Sequence, residues 1–163
     1  MKATNAPYDV HMATIRVSTV IDATPDQVWA VVENVANHVD WMHDAVAIRF
    51  TSSTTAGVGT TFDCDTKVGP FRLTDKMEIT EWEAGSTMGV RHVGMVTGTG
   101  AFTILPVGDR RSGFQWKESL VFPWWMGGPI GAVVGGQVLK LIWKRNLKEL
   151  KTIVESESSV HES

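Results

Sequence analysis

The chain opens on an alternation of apolar and polar residues that ends in a signal for a helix. One side of this extended segment carries His11, Ala13, Ile15, Val17, Thr19 and Ile21, and the other carries Arg16 and Ser18. That period of two is typical of a half-buried strand. Thr24-Pro25-Asp26-Gln27 then supplies an N-cap, a proline at the first helical position, an acidic first turn and a capping-box glutamine. The sequence therefore predicts a strand that leads directly into a capped helix.

More strands follow a second short helix or turn near residues 37–43. Runs of β-branched and aromatic residues mark each of them, bounded by glycine, proline and short polar turns. The predicted strands are 46–53, 60–68, 71–83, 87–94, 97–107 and 114–122. Because parallel neighbours would need long crossover connections, these short connections predict an antiparallel meander.

From about Pro129 the apolar period changes to that of a helix. The apolar stripe consists of Leu139, Ile142, Trp143, Leu147, Leu150, Ile153 and Val154, and a basic stripe consists of Lys140, Lys144, Lys148 and Lys151. A sheet with one apolar face must be covered, and this long amphipathic helix is the element available to cover it. We predict one domain over residues 12–155, a flexible lead-in at 1–11 and a flexible polar tail at 156–163.

Composition narrows the class of protein. The chain has 163 residues, the usual length of one domain, and a net charge of −3, which gives no broad attraction to nucleic acid. Cys64 is the single cysteine, which rules out an internal disulfide and favours a reducing compartment, the cytoplasm. Residues 1–11 lack the apolar core of a secretory signal.

Several segments of these elements are similar to those of a known family. They are Ile21-Asp-Ala-Thr-Pro-Asp-Gln-Val-Trp29, Trp41, Gly57-Val-Gly59, Trp116-Lys-Glu118 and Leu147-Lys-Glu-Leu-Lys151. Over residues 12–155 the chain resembles the polyketide cyclase/dehydrase and lipid-transport family of the START-like (SRPBCC, birch-pollen-allergen-like) superfamily. The resemblance implies an α+β helix-grip fold, in which a curved seven-stranded antiparallel sheet wraps around a long C-terminal helix, with two short helices between strands 1 and 2. It also implies a hydrophobic cavity between the sheet and that helix.

The alternation along each strand indicates which side chains face this cavity. The candidate ligand-binding residues are Trp41, Phe62, Cys64, Met77, Val90, His92, Phe102, Trp116, Glu118, Leu120, Leu139 and Trp143. Asp75, His92 and Glu118 share inward faces with large apolar residues, and a buried charge is costly unless it is paired or hydrogen-bonded. They are the candidates for an acid–base set, for a polar anchor of an apolar ligand, or for an internal salt bridge. No catalytic residue is assigned among them.

A second polar group consists of His38, Asp40, His43 and Asp44, in or beside the second short helix. A metal site needs three or four ligands of matched geometry, and the sequence has neither an HExxH motif nor paired cysteines. We interpret these residues as solvated helix-end residues near the cavity mouth, and we predict no metal and no other cofactor.

Residues 120–139 carry no charge and are rich in tryptophan and glycine. Pro123, Gly127-Gly128 and Pro129 argue against a spanning helix. Two interpretations of Trp124-Trp125-Met126 stay open: these side chains cap one end of the core, or they make transient contact with a membrane surface, helped by the basic stripe. Small residues four apart, at 127, 131 and 135, allow close approach to the sheet or to a partner helix.

Three functions follow from these features. The leading hypothesis is a carrier or binding protein for a lipid-like or polycyclic, polyketide-like molecule, which enters near the Trp124–Gly128 and Gly57–Gly59 loops. The alternative is a polyketide cyclase or dehydratase in which His92 and an inward carboxylate move protons, without a metal or nucleotide cofactor. The third is an interaction module that dimerises through the glycine-rich start of the terminal helix. The oligomeric state is left open.

Overall fold

The computed structural model describes residues 12–161, so the predictions for His11, for the rest of the lead-in and for residues 162–163 lie outside it. The strands are β1 (Met12–Ile21), β2 (Ala45–Phe50), β3 (Thr61–Val68), β4 (Phe71–Glu83), β5 (Thr87–Val93), β6 (Thr97–Pro106) and β7 (Ser112–Val121). The α-helices are α1 (Pro25–Val32) and α2 (Gly128–His161), and short 3₁₀ helices occupy Val35–Asp40 and Trp124–Met126.

The predicted capping box joins β1 to α1. The Thr24 backbone N–H donates to Gln27 Oε1 at 2.8 Å, and the Gln27 backbone N–H donates to Thr24 Oγ1 at 3.4 Å. These bonds satisfy donors that the first turn of a helix would otherwise leave free. The helix therefore begins at Pro25, and it buries Val28 and Val32 against the core.

All seven strands lie in one antiparallel sheet with the order β1-β7-β6-β5-β4-β3-β2. The first strand pairs with the last along its whole length, from Met12 opposite Val121 to Ile21 opposite Ser112. The predicted α+β architecture, with short helices after β1 and a long C-terminal helix, is confirmed. Strand boundaries differ from the predicted ones by at most three residues. The largest difference is at β2, which ends at Phe50 because the backbone N–H groups of residues 51 and 52 turn to the Thr61 carbonyl.

Helix α2 packs its predicted apolar stripe against the sheet. The buried members are Trp143, Leu147, Leu150 and Val154, and the partly buried members are Leu139, Ile142 and Ile153. In the basic stripe, Lys140, Lys144 and Lys148 are exposed. Lys151 differs from them, since its Nζ donates to the Val20 carbonyl at 2.6 Å and lies 2.8 Å from Glu155 Oε1. That lysine ties the helix to the end of β1.

The end of α2 lies beyond the predicted boundary at residue 155. The Ser158 hydroxyl donates to the Val154 carbonyl at 2.8 Å, and the Ser156 hydroxyl donates to the Ile153 carbonyl at 2.8 Å. Serine side chains that bond the preceding turn are compatible with continued helix. Residues 156–161, predicted as part of the tail, are therefore helical.

Candidate ligand-binding cavity

A cavity of about 600 Å³ lies between the sheet and α2. Of the predicted ligand-binding residues, those that line it are Phe62, Cys64, Met77, Val90, His92, Phe102, Trp116, Glu118, Leu120, Leu139 and Trp143. Asp75 lines it as well. The alternation along the strands thus identified side chains of the wall, whereas ligand binding by these residues stays a prediction.

Trp41 lies in the core and is not part of the cavity wall. Its ring packs against those of His38, Phe102 and Trp116, with centroid separations of 5.1, 5.8 and 6.1 Å. Trp41 follows a short helix, where the period of two that sorts strand residues does not apply. The sequence pattern could not separate a core position from a wall position there.

The side chains of α2 leave the cavity open near the start of the helix. Gly131, Val134, Gly135 and Val138 face it, and a Cβ atom at Gly135 would meet no other atom within 4 Å. A Cβ atom at Gly131 would overlap the Met126 carbonyl oxygen, so this glycine allows the helix to approach the preceding 3₁₀ helix. A larger side chain at Gly135 would fill part of the cavity.

Two stacked indole rings form part of the cavity wall. Trp116 on β7 and Trp143 on α2 lie 4.5 Å apart with an angle of 18° between their planes. Both side chains are buried. This stack joins β7 of the sheet to α2.

The mouth of the cavity lies at the start of α2. Trp125 and Phe71 line the cavity although they are 57% and 65% exposed, so they stand at its opening. Trp124 is 84% exposed. The prediction that the Gly57–Gly59 loop borders the mouth is wrong, because that loop precedes β3 and the mouth lies at the far end of that strand, beside Val68. No helix within residues 12–161 is long and apolar enough to cross a bilayer.

Polar contacts hold α2 against the segment that follows the first 3₁₀ helix. Asp44 Oδ1 accepts a hydrogen bond from Asn146 Nδ2 at 2.7 Å, and Asp44 Oδ2 accepts one from Trp143 Nε1 at 3.2 Å. Asn146 is fully buried, and its Oδ1 accepts from the His43 backbone N–H at 3.0 Å. We call Asp44, Trp143 and Asn146 the Asp44 clamp. The interpretation of Asp44 as a solvated residue is wrong, because Asn146, a polar residue within the apolar stripe of α2, donates a hydrogen bond to it.

His38 is also buried and lines the cavity, contrary to the prediction of a solvated residue. Its Nε2 lies 2.7 Å from the Val32 carbonyl oxygen. Burial lowers the pKa of His38 to about 4 against the opposing effect of that bond, so the neutral ring donates through Nε2. Within residues 12–161, no three His, Cys, Asp or Glu side chains are placed to hold a metal ion.

Asp75 on β4, His92 on β5 and Glu118 on β7 meet in the cavity wall, and we call them the buried trio. Glu118 Oε2 lies 2.9 Å from His92 Nε2, and Glu118 Oε1 accepts from Trp116 Nε1 at 2.9 Å. Asp75 Oδ2 lies 4.0 Å from His92 Nδ1, which is beyond hydrogen-bond distance. Asp75 Oδ1 and His92 Nδ1 are enclosed and have no hydrogen-bond partner in the described part of the chain.

The charges of the trio depend on one another. Burial disfavours a charged His92, but its hydrogen bond to Glu118 and the charges of Glu118 and Asp75 outweigh that effect, so the pKa of His92 is raised. Burial raises the pKa of Asp75, with His92 opposing the shift and Glu118 adding to it. Burial also raises the pKa of the Cys64 thiol to about 11, so this wall residue stays protonated at neutral pH.

Comparison with known proteins identifies the family. A family model described as polyketide cyclase / dehydrase and lipid transport matches residues 12–155. The chain belongs to this family. The resemblance seen in the β1–α1 junction and in the Trp116–Glu118 segment is thereby confirmed, together with the helix-grip fold. A search of curated proteins finds no match.

Solved structures share the fold of this family member over most of its length. A START superfamily protein from Mycobacterium smegmatis is 11% identical, with a TM-score of 0.71 over 88% of this chain and 98% of its own. The Zhui aromatase/cyclase from Streptomyces sp. R1128 is 15% identical, with a TM-score of 0.69 over 91% and 94%. A protein from Thermus thermophilus, TTHA0849, is 16% identical, with a TM-score of 0.71 over 89% and 99%. At these identities the likeness shows the fold alone.

Proposed function

We propose that this family member binds a hydrophobic small molecule in the cavity between the sheet and α2, as a carrier or binding protein. The supporting observation is a mainly apolar cavity of about 600 Å³ with exposed aromatic side chains at its mouth. Ligand pockets commonly hold about 300–1,000 Å³, and apolar burial stabilises a complex by about 25 cal/mol per Å². The family description and the aromatase/cyclase among the fold relatives support a lipid-like or polyketide-like ligand.

The direct test is to fill the cavity. We expect Gly135→Phe to place a ring in the open space beside Gly135 and to abolish binding of the neutral dye Nile red. Val133→Phe is the matched control, because Val133 lies on the same helix, is 67% exposed and does not line the cavity. Native mass spectrometry of the purified protein shows whether a hydrophobic molecule co-purifies with it. Empty protein that also fails to bind Nile red would contradict the proposal.

The buried trio favours a second candidate function, acid–base catalysis of cyclisation or dehydration. In a dehydration, a base removes the proton next to a carbonyl and an acid protonates the departing hydroxyl group, so that water leaves. One nitrogen of His92 faces Glu118 and the other is enclosed, so Asp75 is the better placed group for proton transfer, and the nearby charge of His92 favours its ionised form.

An aromatic β-hydroxy ketone tests this candidate, because its dehydration product absorbs in the near ultraviolet. We expect turnover with a bell-shaped pH dependence that Asp75→Asn removes while dye binding persists. Asp109→Asn, in an exposed turn, is the control. Dye binding without turnover in the unaltered protein would leave binding as the function.

A further inference from the structure

The cavity wall contains more acidic than basic side chains. Its carboxylates are those of Asp44, Asp75 and Glu118, and its histidines are His38 and His92. None of the lysine and arginine residues between positions 12 and 161 lines the cavity. A ligand that carried a negative charge would therefore find no free cation along this wall.

Most of these polar groups already have partners. The Asp44 clamp occupies both oxygens of Asp44. Both Glu118 oxygens face N–H groups of Trp116 and His92, and His38 donates to a backbone carbonyl. The positive charge that His92 gains on protonation lies against Glu118 and is not available to a ligand. His92 Nδ1 has no partner but is enclosed, so these groups shape the cavity without offering an accessible bonding position inside it.

Asp75 is the exception among the cavity carboxylates. Its side chain keeps 15% exposure, and the described residues provide no hydrogen-bond partner for its enclosed Oδ1. Oδ2 is then the oxygen that can reach the cavity, and its nearest charged neighbour, His92 Nδ1, is 4.0 Å away. A donor on a ligand could therefore bond to Oδ2, whereas Oδ1 would stay enclosed and unpaired.

We propose that the cavity selects uncharged hydrophobic molecules whose hydroxyl group donates a hydrogen bond to Asp75, and that it rejects molecules ending in a carboxylate or phosphate. This inference rests on the proposed binding function. A second anion beside Asp75 and Glu118 would lose its hydration in an apolar cavity without gaining a counter-charge. An ammonium group would also lose its hydration, with Asp75 Oδ2 as its one accessible carboxylate oxygen, whereas a neutral hydroxyl group loses little hydration and can donate to that oxygen. Free fatty acids and phosphorylated lipids are thereby excluded as ligands of this wall.

A matched set of naphthalenes separates these possibilities. The probes are 2-naphthol, 2-naphthoate, 2-(aminomethyl)naphthalene and 2-methylnaphthalene, each titrated against bound Nile red at neutral pH. We expect 2-naphthol to bind at least about tenfold more tightly than 2-naphthoate, from the hydrogen bond gained and the charge avoided. In Asp75→Leu the preference for 2-naphthol over 2-methylnaphthalene should disappear, whereas the control Asp109→Leu should keep it.

The outcomes distinguish the two proposals. If 2-methylnaphthalene binds but 2-naphthoate or the amine binds as tightly as 2-naphthol, the assignment of a hydroxyl ligand is overturned and the binding function stands. If none of the probes nor Nile red binds, the binding function itself fails. Unfolding in urea checks that Asp75→Leu is folded, and Asp75→Asn provides a second variant that keeps the size of the side chain.

Discussion

Gly100 faces Glu118 across strands β6 and β7, and a Cβ atom at Gly100 would overlap the Glu118 carboxylate. Gly98 lies two residues earlier, opposite His92 of β5. Residues two apart in a strand point to the same face, so β6 places no side chain between His92 and Glu118. The histidine and the carboxylate can therefore meet across an intervening strand, at 2.9 Å.

We expect Gly100→Ala to destabilise the protein by about 1–3 kcal/mol, because the displaced Glu118 carboxylate would leave a buried N–H donor unpaired. Unfolding in urea measures the loss. Gly113→Ala, on the neighbouring strand β7, is the matched control, since its Cβ atom would make an ordinary contact of 3.5 Å with Val107. Equal stability of the two variants would contradict the role of Gly100.

The sequence predicts most of the fold because the strands of this sheet obey a simple rule. One face is buried, so alternation along β3 to β7 places Phe62, Met77 and Trp116 in the cavity wall. The same rule places Asp75, His92 and Glu118 on that face, although it does not show which of them are in contact. The short distance between His92 and Glu118 depends on two glycines of the strand that lies between them. The sequence patterns of the two strands that carry His92 and Glu118 do not show these glycines.

The residues whose surroundings the sequence predicts wrongly lie outside the strands. Asp44 and His38 resemble solvated helix-end residues until their partners are known, and those partners are Asn146, far along the chain, and a backbone carbonyl. The single signal in the sequence was Asn146 itself, a polar residue within the apolar stripe of α2. A buried polar residue in such a stripe indicates a specific partner.

His92 should make the stability of the protein depend on pH above the ordinary histidine range. Its pKa is raised above 6.5 by Glu118 and Asp75, so its stabilising contribution is complete below pH 6.5 and is lost as the pH rises through the raised pKa. We expect the free energy of unfolding of the unaltered protein to fall across that window more steeply than that of His92→Gln. Urea unfolding at a series of pH values gives both slopes, and identical slopes would refute the coupling.

His38 should lower the free energy of unfolding as the pH falls, which is the opposite direction to the effect of His92. Burial lowers its pKa from 6.5 to about 4, so the unfolded chain binds a proton that the folded protein excludes. The associated stability is present above pH 6.5 and is lost as the pH falls towards 4. His38→Gln can keep the hydrogen bond to Val32 without titrating, and it should lose less stability over this range. A nuclear magnetic resonance titration that places the His38 pKa near 6.5 would count against the assignment.

The Asp44 clamp should contribute to stability through Asn146. Asn146→Leu would leave Asp44 Oδ1 and the His43 backbone N–H without partners, and we expect a loss of about 2–3 kcal/mol on urea unfolding. Asn37→Ala, at an exposed position of the first 3₁₀ helix, should have little effect. Near-ultraviolet circular dichroism should also change in Asn146→Leu, because the clamp holds Trp143 in its stack with Trp116.

Contact of residues 124–126 with a membrane surface stays a prediction, and the exposure of the mouth makes it testable. Trp124 and Trp125 are 84% and 57% exposed, and indole rings favour the interface between water and lipid. We expect the double variant Trp124→Ser/Trp125→Ser to bind vesicles containing anionic lipid roughly tenfold more weakly, because burial of apolar surface supplies the affinity. Sedimentation with the vesicles measures the bound fraction.

A control at the other end of α2 distinguishes a specific lipid-binding surface from nonspecific hydrophobic adsorption. Val160 is 73% exposed and lies at the far end of the helix from the mouth, so Val160→Ser should leave vesicle binding unchanged. Lys140 and Lys144 are exposed on the first half of the helix, and their attraction to anionic headgroups should weaken as salt is added. Equal losses in the tryptophan and valine variants would show that no surface at the mouth binds lipid. A selective, salt-sensitive loss would place the cavity opening at the bilayer, where a hydrophobic ligand could pass between them without crossing water.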